Sequence, residues 1–226
     1  MPMLRLFAVV IAAALTMSIA PVRAQSAGPT YVVSYIEFVP SGQRAAVPVL
    51  RALRDASRKE AGNRSFEVLQ GIGRPQQFAI LEVWDDAKAQ ASHAAASAQL
   101  RDRLKPYLAA PIDERVHTGF LVGQGKAPGS GSVFVLTHVD LIGAKKDDGL
   151  AALKQLSADS AKDNGVQRYD VWQQGNRPNH LTLIEVWSGK AALAKHEEAA
   201  HTRKFREALL PMSGSLYDQR IYQKVN

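Results

Sequence analysis

Hydrophobic and polar positions along the chain follow a strand–helix–strand–strand–helix–strand order that occurs twice. Short segments rich in β-branched and aromatic residues predict the first strand of each series, at 31–39 and 133–142. Val47, Leu50 and Leu53 recur every three residues, which predicts a helix with one apolar stripe. Two strands, a long helix and a closing strand complete each series, predicted at 65–70, 77–84, 86–105 and 112–121, and again at 167–173, 180–187, 189–209 and 216–223.

The two series are copies of one another. A shift of 103 residues places Glu82–Trp84 on Glu185–Trp187 and His93 on His196, and the register holds without a gap from residue 31 to 96. A segment rich in glycine separates the copies and is typical of a flexible linker. The predicted organisation is a first unit at 30–121, a linker at 122–131 and a second unit at 132–226.

The order of elements predicts the fold of each unit. A βαββαβ unit forms a four-stranded antiparallel sheet with both helices on one face. The other face stays apolar and uncovered, so it requires a partner sheet, which the second copy supplies. The predicted fold class is therefore α+β, with two ferredoxin-like units that close face to face into an intrachain pseudo-dimer. The sequence leaves open whether the chain forms further homo-oligomers.

The first 24 residues predict export. Met1–Arg5 is mildly basic, Leu6–Ala20 is an almost uninterrupted apolar run, and Ala24 ends a small-residue cleavage pattern. An apolar core of about 15 residues is shorter than the roughly 20 that a membrane span needs, which favours a cleaved signal peptide over an anchor. The mature protein is expected in the periplasm or outside the cell, without a membrane attachment.

Composition excludes several classes of site. The chain has no cysteine, which excludes disulfides, thiolate nucleophiles and Cys-ligated metals. The net charge is +7, but the basic residues are scattered among acidic ones, which argues against a nucleic-acid partner. His196 and His201 are five residues apart, which does not place both on one face of a continuous helix, and residue 98 of the first copy is alanine. No metal site is expected.

A repeated Glu–Trp–His arrangement is the candidate chemistry. Glu82 and Trp84 are two residues apart on a strand and project to the same face. His93 shares a helical stripe with Ala89 and Ala96, and this stripe is expected to face the sheet. An imidazole between helix and sheet can accept a proton near neutral pH. The alternative interpretation is that His93 is a structural core residue whose imidazole bonds to the backbone.

The residues Glu-Val-Trp at 82–84 and 185–187, followed by a histidine nine residues after each tryptophan, resemble the antibiotic biosynthesis monooxygenase family of dimeric α+β barrels. A proline near the end of each second helix and a closing strand extend the resemblance over nearly all of the predicted mature chain. The resemblance implies oxidation of a small electron-rich aromatic, such as a quinol, by O₂ without a cofactor. His93 and His196 would be the catalytic residues, each as base or anion-stabilising group. Trp84, Trp187, Tyr35 and His138 would line a substrate pocket between sheet and helices.

Two other functions remain open at this point. Tyr35 aligns with His138 and Ala98 with His201, so the copies have diverged at polar positions. This divergence is also compatible with a non-catalytic periplasmic binding or stress-response protein that holds a small aromatic ligand in the same pocket. A purely structural role as an assembly surface is the third alternative.

Overall fold

The computed structural model describes residues 28–225. The predicted signal peptide at 1–24 therefore lies outside the described residues. The first unit contains β1 (Thr30–Glu37), α1 (Gln43–Ser57), β2 (Asn63–Gly71), β3 (Gln77–Trp84), α2 (Ala87–Ala96), α3 (Ala98–Asp102) and β4 (Asp113–Leu121). The second contains β5 (Val133–Asp140), α4 (Lys146–Ser160), β6 (Val166–Gln174), β7 (His180–Trp187), α5 (Lys190–Glu198), α6 (Ala200–Leu209) and β8 (Asp218–Lys224).

The eight strands form one closed antiparallel barrel in the order β1-β3-β2-β8-β5-β7-β6-β4. Each unit contributes a four-stranded sheet, and its last strand also pairs with the other unit. β8 pairs with β2 through Leu69–Lys224, and β4 pairs with β6 through His117–Gln174. The barrel leaves no open sheet edge, which removes the usual site of edge-to-edge association. The predicted intrachain barrel is confirmed.

β1, β3, β5 and β7 are largely apolar because both of their faces are buried. One face packs under the helices, where Leu50, Leu53 and Phe66 belong to the core of the first unit. The other face fills the barrel, where Tyr31 of the first unit meets Trp172 of the second with ring centroids 4.9 Å apart. The barrel interior is thus a core that both units share, so neither sheet is complete without the other.

The second helix of each unit differs from the prediction. Residues 86–105 and 189–209 were each expected as one helix, but both are broken. In the second unit Ala199 has extended backbone angles (φ −65°, ψ 147°) between α5 and α6. Since a single extended residue turns the chain, the side chains that follow it do not continue the helical stripe of α5.

The predicted linker at 122–131 has no regular secondary structure, but two of its amides are bonded to β6. Gly123 N donates to the carboxylate of Asp170, and Lys126 N donates to the carbonyl of Gln167. None of the helices within residues 28–225 is long and apolar enough to cross a membrane.

Replacing Gly62 with alanine is expected to lower the free energy of unfolding by about 2–4 kcal/mol, because left-handed backbone strain and steric overlap add. Gly62 has φ +81°, and an added Cβ would lie 2.6 Å from Cβ of Ala89. Gly73 is the matched control, since its φ is +80° but nothing lies within 4 Å of an added Cβ. Gly73→Ala should cost only about 1 kcal/mol in urea unfolding. Equal losses in the two variants would contradict the packing of α2 on this turn.

Candidate functional site

The predicted Glu–Trp–His group of the first unit forms a compact cluster under α2. Trp84 Nε1 donates to Glu82 at 2.8 Å, and the His93 ring stacks on the indole with centroids 4.5 Å apart. His93 Nδ1 lies 3.0 Å from the carboxylate of Glu60. Arg101 donates to the second oxygen of Glu82 at 3.1 Å, which neutralises a fully buried carboxylate.

The second unit repeats this cluster, but its buried glutamate has no arginine partner in the described part of the chain. Trp187 Nε1 donates to Glu185 at 3.0 Å, and His196 stacks on the indole at 4.4 Å. Arg206, the counterpart of Arg101, donates to Gln219 instead of Glu185. With no bonded arginine, burial raises the pKa of Glu185 to about 7.

Both clusters are filled by their own side chains. His93 is fully buried and His196 is 4% exposed, so each imidazole is enclosed by the tryptophan, the carboxylates and the helix above. Five cavities formed by residues 28–225 are lined by residues other than Trp84, His93, Trp187 and His196. The structure thus gives the two histidines the sheet-facing position that the sequence predicts and encloses them among their own neighbours.

Tyr35 and His138 do not join these clusters, contrary to the predicted shared pocket. Tyr35 pairs with Ala79, five residues before Trp84 on β3. Antiparallel partners share a face, and residues an odd number apart on a strand lie on opposite faces. Tyr35 therefore lies inside the barrel with Val33, while Trp84 lies under the helices. His138, the counterpart of Tyr35, is directed to the barrel side of β5 for the same reason.

A second polar group lies at one end of the barrel, where β1 and β5 end and β4 and β8 begin. The Tyr35 ring lies between two guanidinium groups, with Cζ of Arg115 at 5.0 Å and Cζ of Arg220 at 4.8 Å from its centroid. Each arginine is paired with the aspartate two residues before it on the same strand, at 2.6 and 2.7 Å. We refer to the following residues as the barrel-mouth cluster: Tyr35, Asp113, Arg115, His138, Asp218 and Arg220.

A cavity of about 660 Å³ opens beside this cluster, a volume that suits a small organic ligand. His138 contributes from β5, and its Nε2 lies 3.5 Å from Nδ1 of His180 on β7. Both units line the cavity, so it exists only because the two sheets close into one barrel. Its polar lining includes Asp113, Arg115, His138, Gln174, Arg177 and His180.

Two buried nitrogens in this lining have no hydrogen-bond partner among the described residues. They are Nδ1 of His138 and Nη1 of Arg115. Unmet hydrogen-bonding capacity beside a cavity is a feature of binding sites, because a ligand can supply the missing partner. Burial, and then the charge of Arg115, lowers the pKa of His138 to about 4, so its imidazole is neutral at physiological pH and can accept a proton.

The two cavities related by the pseudo-symmetry are not equivalent. The corresponding cavity of the other half, about 380 Å³, is lined by Arg74, Gln77 and Arg220. Gln77 stands where the larger cavity has His180, and Tyr35 stands where it has His138. Divergence between the copies has therefore put two imidazoles in one cavity and none in the lining of the other.

His117 lies below the barrel-mouth cluster and is satisfied by its neighbours. Its Nδ1 is 2.9 Å from the carbonyl oxygen of Arg115, and its Nε2 is 3.0 Å from the Thr182 hydroxyl. A carbonyl oxygen only accepts, so Nδ1 carries the proton and Nε2 accepts from Thr182. Burial lowers the pKa of His117 to about 4, so this neutral tautomer persists well below neutral pH.

His117 is expected to make stability fall on acidification. Between pH 6.5 and 4 the unfolded chain protonates this histidine while the folded protein keeps it neutral, so the unfolded state binds more protons. The free energy of unfolding should therefore decrease as the pH falls through this window, by up to about 3 kcal/mol from this residue. Urea unfolding from pH 7 to 4 measures the slope. His117→Gln should flatten it, and an unchanged slope would contradict the assignment.

Sequence reasoning missed Arg115, Arg220 and His117 as site residues. The available signal was the match of Asp113 with Asp218 and of Arg115 with Arg220 in the shifted register. An acid and a base two residues apart share a strand face, and their recurrence marked a charged spot at one end of the barrel.

The spacing argument against a metal site is wrong for the second unit. It assumed one helix over 189–209, whereas the break at Ala199 returns His201 toward His196. Asp163, His196 and His201 each offer a ligand atom, and these atoms lie within 4.8 Å of one another.

Comparison with solved structures supports the same architecture. A Fusobacterium nucleatum protein, provisionally described as a monooxygenase, matches with TM-score 0.79 and 13% identity over 89% of this chain and 94% of its own. A Lactobacillus acidophilus protein with the same description matches with TM-score 0.71 and 15% identity over 87% and 94%. An anthrone oxidase-like protein matches with TM-score 0.70 and 15% identity over 88% and 92%. At these identities the similarity shows the fold.

No curated protein matches the sequence. A family model, described as antibiotic biosynthesis monooxygenase, matches twice, at residues 29–101 and 132–208. The two matches fall on the two units and together cover more than half of the chain. The chain therefore belongs to the antibiotic biosynthesis monooxygenase family, in a form with two tandem units.

Proposed function

We propose that this protein is an exported, cofactor-independent monooxygenase that oxidises a small electron-rich aromatic, such as a quinol, at the barrel mouth. The observation that carries the proposal is the cavity of about 660 Å³ lined by His138 and Arg115, each of which has a buried nitrogen without a partner among the described residues. Family membership supports monooxygenation as the reaction class.

The cavity chemistry suits a substrate that reacts as its phenolate. Neutral His138 accepts the hydroxyl proton, and the guanidinium of Arg115 stabilises the oxyanion that forms. His138 is a weak base, with its pKa lowered to about 4, so proton removal relies on the cation beside the developing charge. The electron-rich anion is then the species that passes electrons to O₂.

The overall reaction balances without an external reductant. One atom of O₂ becomes an oxygen substituent on the ring, and the other leaves as water with two hydrogens from the substrate. A hydroquinone is thereby converted to a hydroxyquinone, and the substrate supplies all four electrons that O₂ accepts. The task of the protein is orientation, proton transfer and exclusion of bulk water.

In this proposal the proton acceptor is His138, whereas the sequence favoured His93 and His196. The latter two are stacked on tryptophans under the helices, and Nε2 of His93 lies 3.7 Å from the buried carboxylate of Glu82. In this arrangement they support the sheet that carries the barrel-mouth residues. Activity measurements on both sets of variants separate the two assignments.

The test is O₂ uptake with a panel of hydroquinones, with ¹⁸O₂ and mass spectrometry of the products. Wild-type protein should consume O₂ and place one ¹⁸O in the product, also after treatment with a chelator. His138→Gln should lose most of this activity. Full activity in His138→Gln, together with loss of activity in His93→Gln or His196→Gln, would show that the reaction takes place under the helices and not at the barrel mouth. Tight ligand binding without product would favour the binding-protein alternative.

Export is a separate part of the proposal and has its own test. The apolar run at residues 6–20 and the small-residue pattern ending at Ala24 support it. Mass spectrometry of protein from a periplasmic or culture fraction should find a chain that begins at Gln25. A chain that retains residues 1–24 would overturn this part without affecting the proposed reaction.

A further inference from the structure

Three side chains of the second unit converge under its helices. Oδ2 of Asp163 lies 2.7 Å from Nδ1 of His196 and 3.0 Å from Nε2 of His201. Asp163 comes from the turn between α4 and β6, His196 from α5, and His201 from α6. Three separate elements thus direct one carboxylate oxygen and two imidazole nitrogens to the same point.

The break between α5 and α6 is what creates this group. His196 is in the last turns of α5, Ala199 is extended, and His201 follows at the start of α6. The imidazole rings of His196 and His201 consequently lie with centroids 5.5 Å apart. On a continuous helix, residues five apart project in different directions and would not meet.

His196 also has a carboxylate on its other side. Its Nε2 lies 3.7 Å from Oε2 of the buried Glu185, and its ring stacks on Trp187. A neutral imidazole has one N–H, so it cannot donate to Asp163 and Glu185 at once. A cation in place of the proton between Nδ1 and Asp163 would leave Nε2–H for the Thr202 hydroxyl, 3.4 Å away, with the Glu185 carboxylate beyond it. A hydrogen bond at the second ring nitrogen is what orients histidine ligands in metal sites.

We propose that Asp163, His196 and His201 bind a divalent first-row transition-metal ion of the Zn²⁺ type. Two imidazole nitrogens and one carboxylate oxygen form a donor set that such ions prefer over Mg²⁺ or Ca²⁺. The side chains of Asp163 and His201 are each 21% exposed, so an ion can enter and water can complete its coordination. A cavity of about 200 Å³ next to His201, between α4 and α6, gives access.

The site requires a small movement of its ligands. Donors that are about 2.0–2.1 Å from a tetrahedral Zn²⁺ stand roughly 3.3 Å apart, so Asp163 must withdraw by about half an ångström from both histidines. Asp163 lies in a turn between α4 and β6, so the shift moves a side chain outside the sheet and the helices. The proposal does not rest on the proposed reaction, because the site lies on the helix side of the second sheet, away from the barrel mouth.

The first unit provides an internal comparison. Glu60 and His93 occupy the positions of Asp163 and His196, but Ala98 occupies that of His201. With only two of the three ligands, the first unit should bind no ion of this kind at comparable affinity. One ion per chain is therefore expected.

The test is titration of the purified, chelator-treated protein with Zn²⁺ by calorimetry and with Co²⁺ by visible absorption. Wild type should bind one ion per chain, with a Co²⁺ spectrum typical of nitrogen and oxygen ligands. His201→Ala introduces the residue that the first unit has, and it should weaken binding at least about tenfold. Asp163→Asn keeps the side-chain size and should weaken binding as well.

His138→Gln is the matched control, because it alters the other histidine pair of the protein, His138 with His180. It should leave the affinity and the stoichiometry unchanged. Circular dichroism and thermal unfolding verify that each variant is folded. Absence of saturable binding by wild type, or equal affinity in wild type, His201→Ala and Asp163→Asn, would overturn the proposal. Loss of binding in His138→Gln alone would also overturn it.

Discussion

Arg115→Met is expected to lower kcat/KM for a quinol-like substrate by about 100- to 1000-fold, the usual effect of removing one group that stabilises developing charge. Methionine keeps the apolar stem of arginine but not its cation, so the phenolate loses its counter-charge beside His138. The partner carboxylate of Asp113 is about half exposed and stays solvated without the arginine. Stability should therefore change little. Steady-state O₂ uptake and urea unfolding measure the two effects separately.

Arg74→Met is the control for this result. Arg74 lies in the β2–β3 turn and lines the smaller cavity of about 380 Å³, which has no histidine in its lining. Arg74 is the counterpart of Arg177, and its replacement removes one arginine charge from the smaller cavity, so it should leave kcat/KM unchanged. Full activity of Arg115→Met would exclude the barrel mouth as the reaction site. Equal loss in Arg74→Met would point to net charge as the cause instead of a specific contact.

Arg101→Met is expected to lower the free energy of unfolding by about 3 kcal/mol, because it leaves the buried carboxylate of Glu82 without its cation. Glu82 is fully buried, and its bond from Arg101 is 3.1 Å long. Trp84 still donates to the other oxygen, but one neutral hydrogen bond does not replace an ion pair. Burial already raises the pKa of Glu82, and removal of Arg101 should raise it further. Urea unfolding at neutral pH measures the loss.

The second unit provides a control for the loss of stability expected in Arg101→Met. Arg206→Met alters the corresponding arginine of the second unit, which bonds to Gln219 and not to Glu185. Its cost should be about 1 kcal/mol or less. Glu82→Gln in the Arg101→Met background should recover most of the stability, since it removes the uncompensated charge. Failure of this rescue would show that Arg101 stabilises the protein through packing, not through the ion pair.

The strands and the barrel could be predicted because their signals are strong and local. Runs such as Tyr31–Glu37 and Gln77–Trp84 are short, apolar and bounded by turns, and the exact repeat of the order fixed the unit. The apolar second face of each sheet then required a partner, and duplication made that partner intramolecular. The position of His93 on the sheet-facing stripe of its helix also followed from spacing alone.

The site could be predicted only in part, because it depends on which face of a strand each residue takes. Tyr35 was grouped with Trp84, although the antiparallel register puts them on opposite faces of the sheet. Pairing between the units decides which residues meet at the barrel mouth, and a pattern within one unit does not contain that information. Likewise, one extended residue at Ala199 places His201 next to Asp163, and helical periodicity gave no sign of it.

The central claim is that the two units form one substrate site at the barrel mouth and not a separate site under the helices of each. A crystal structure of the protein with a hydroquinone bound under anaerobic conditions tests it directly. The account predicts one ligand in the larger cavity, with its hydroxyl groups bonded to His138 and Arg115. A ligand against Trp84 and His93, or against Trp187 and His196, would contradict it.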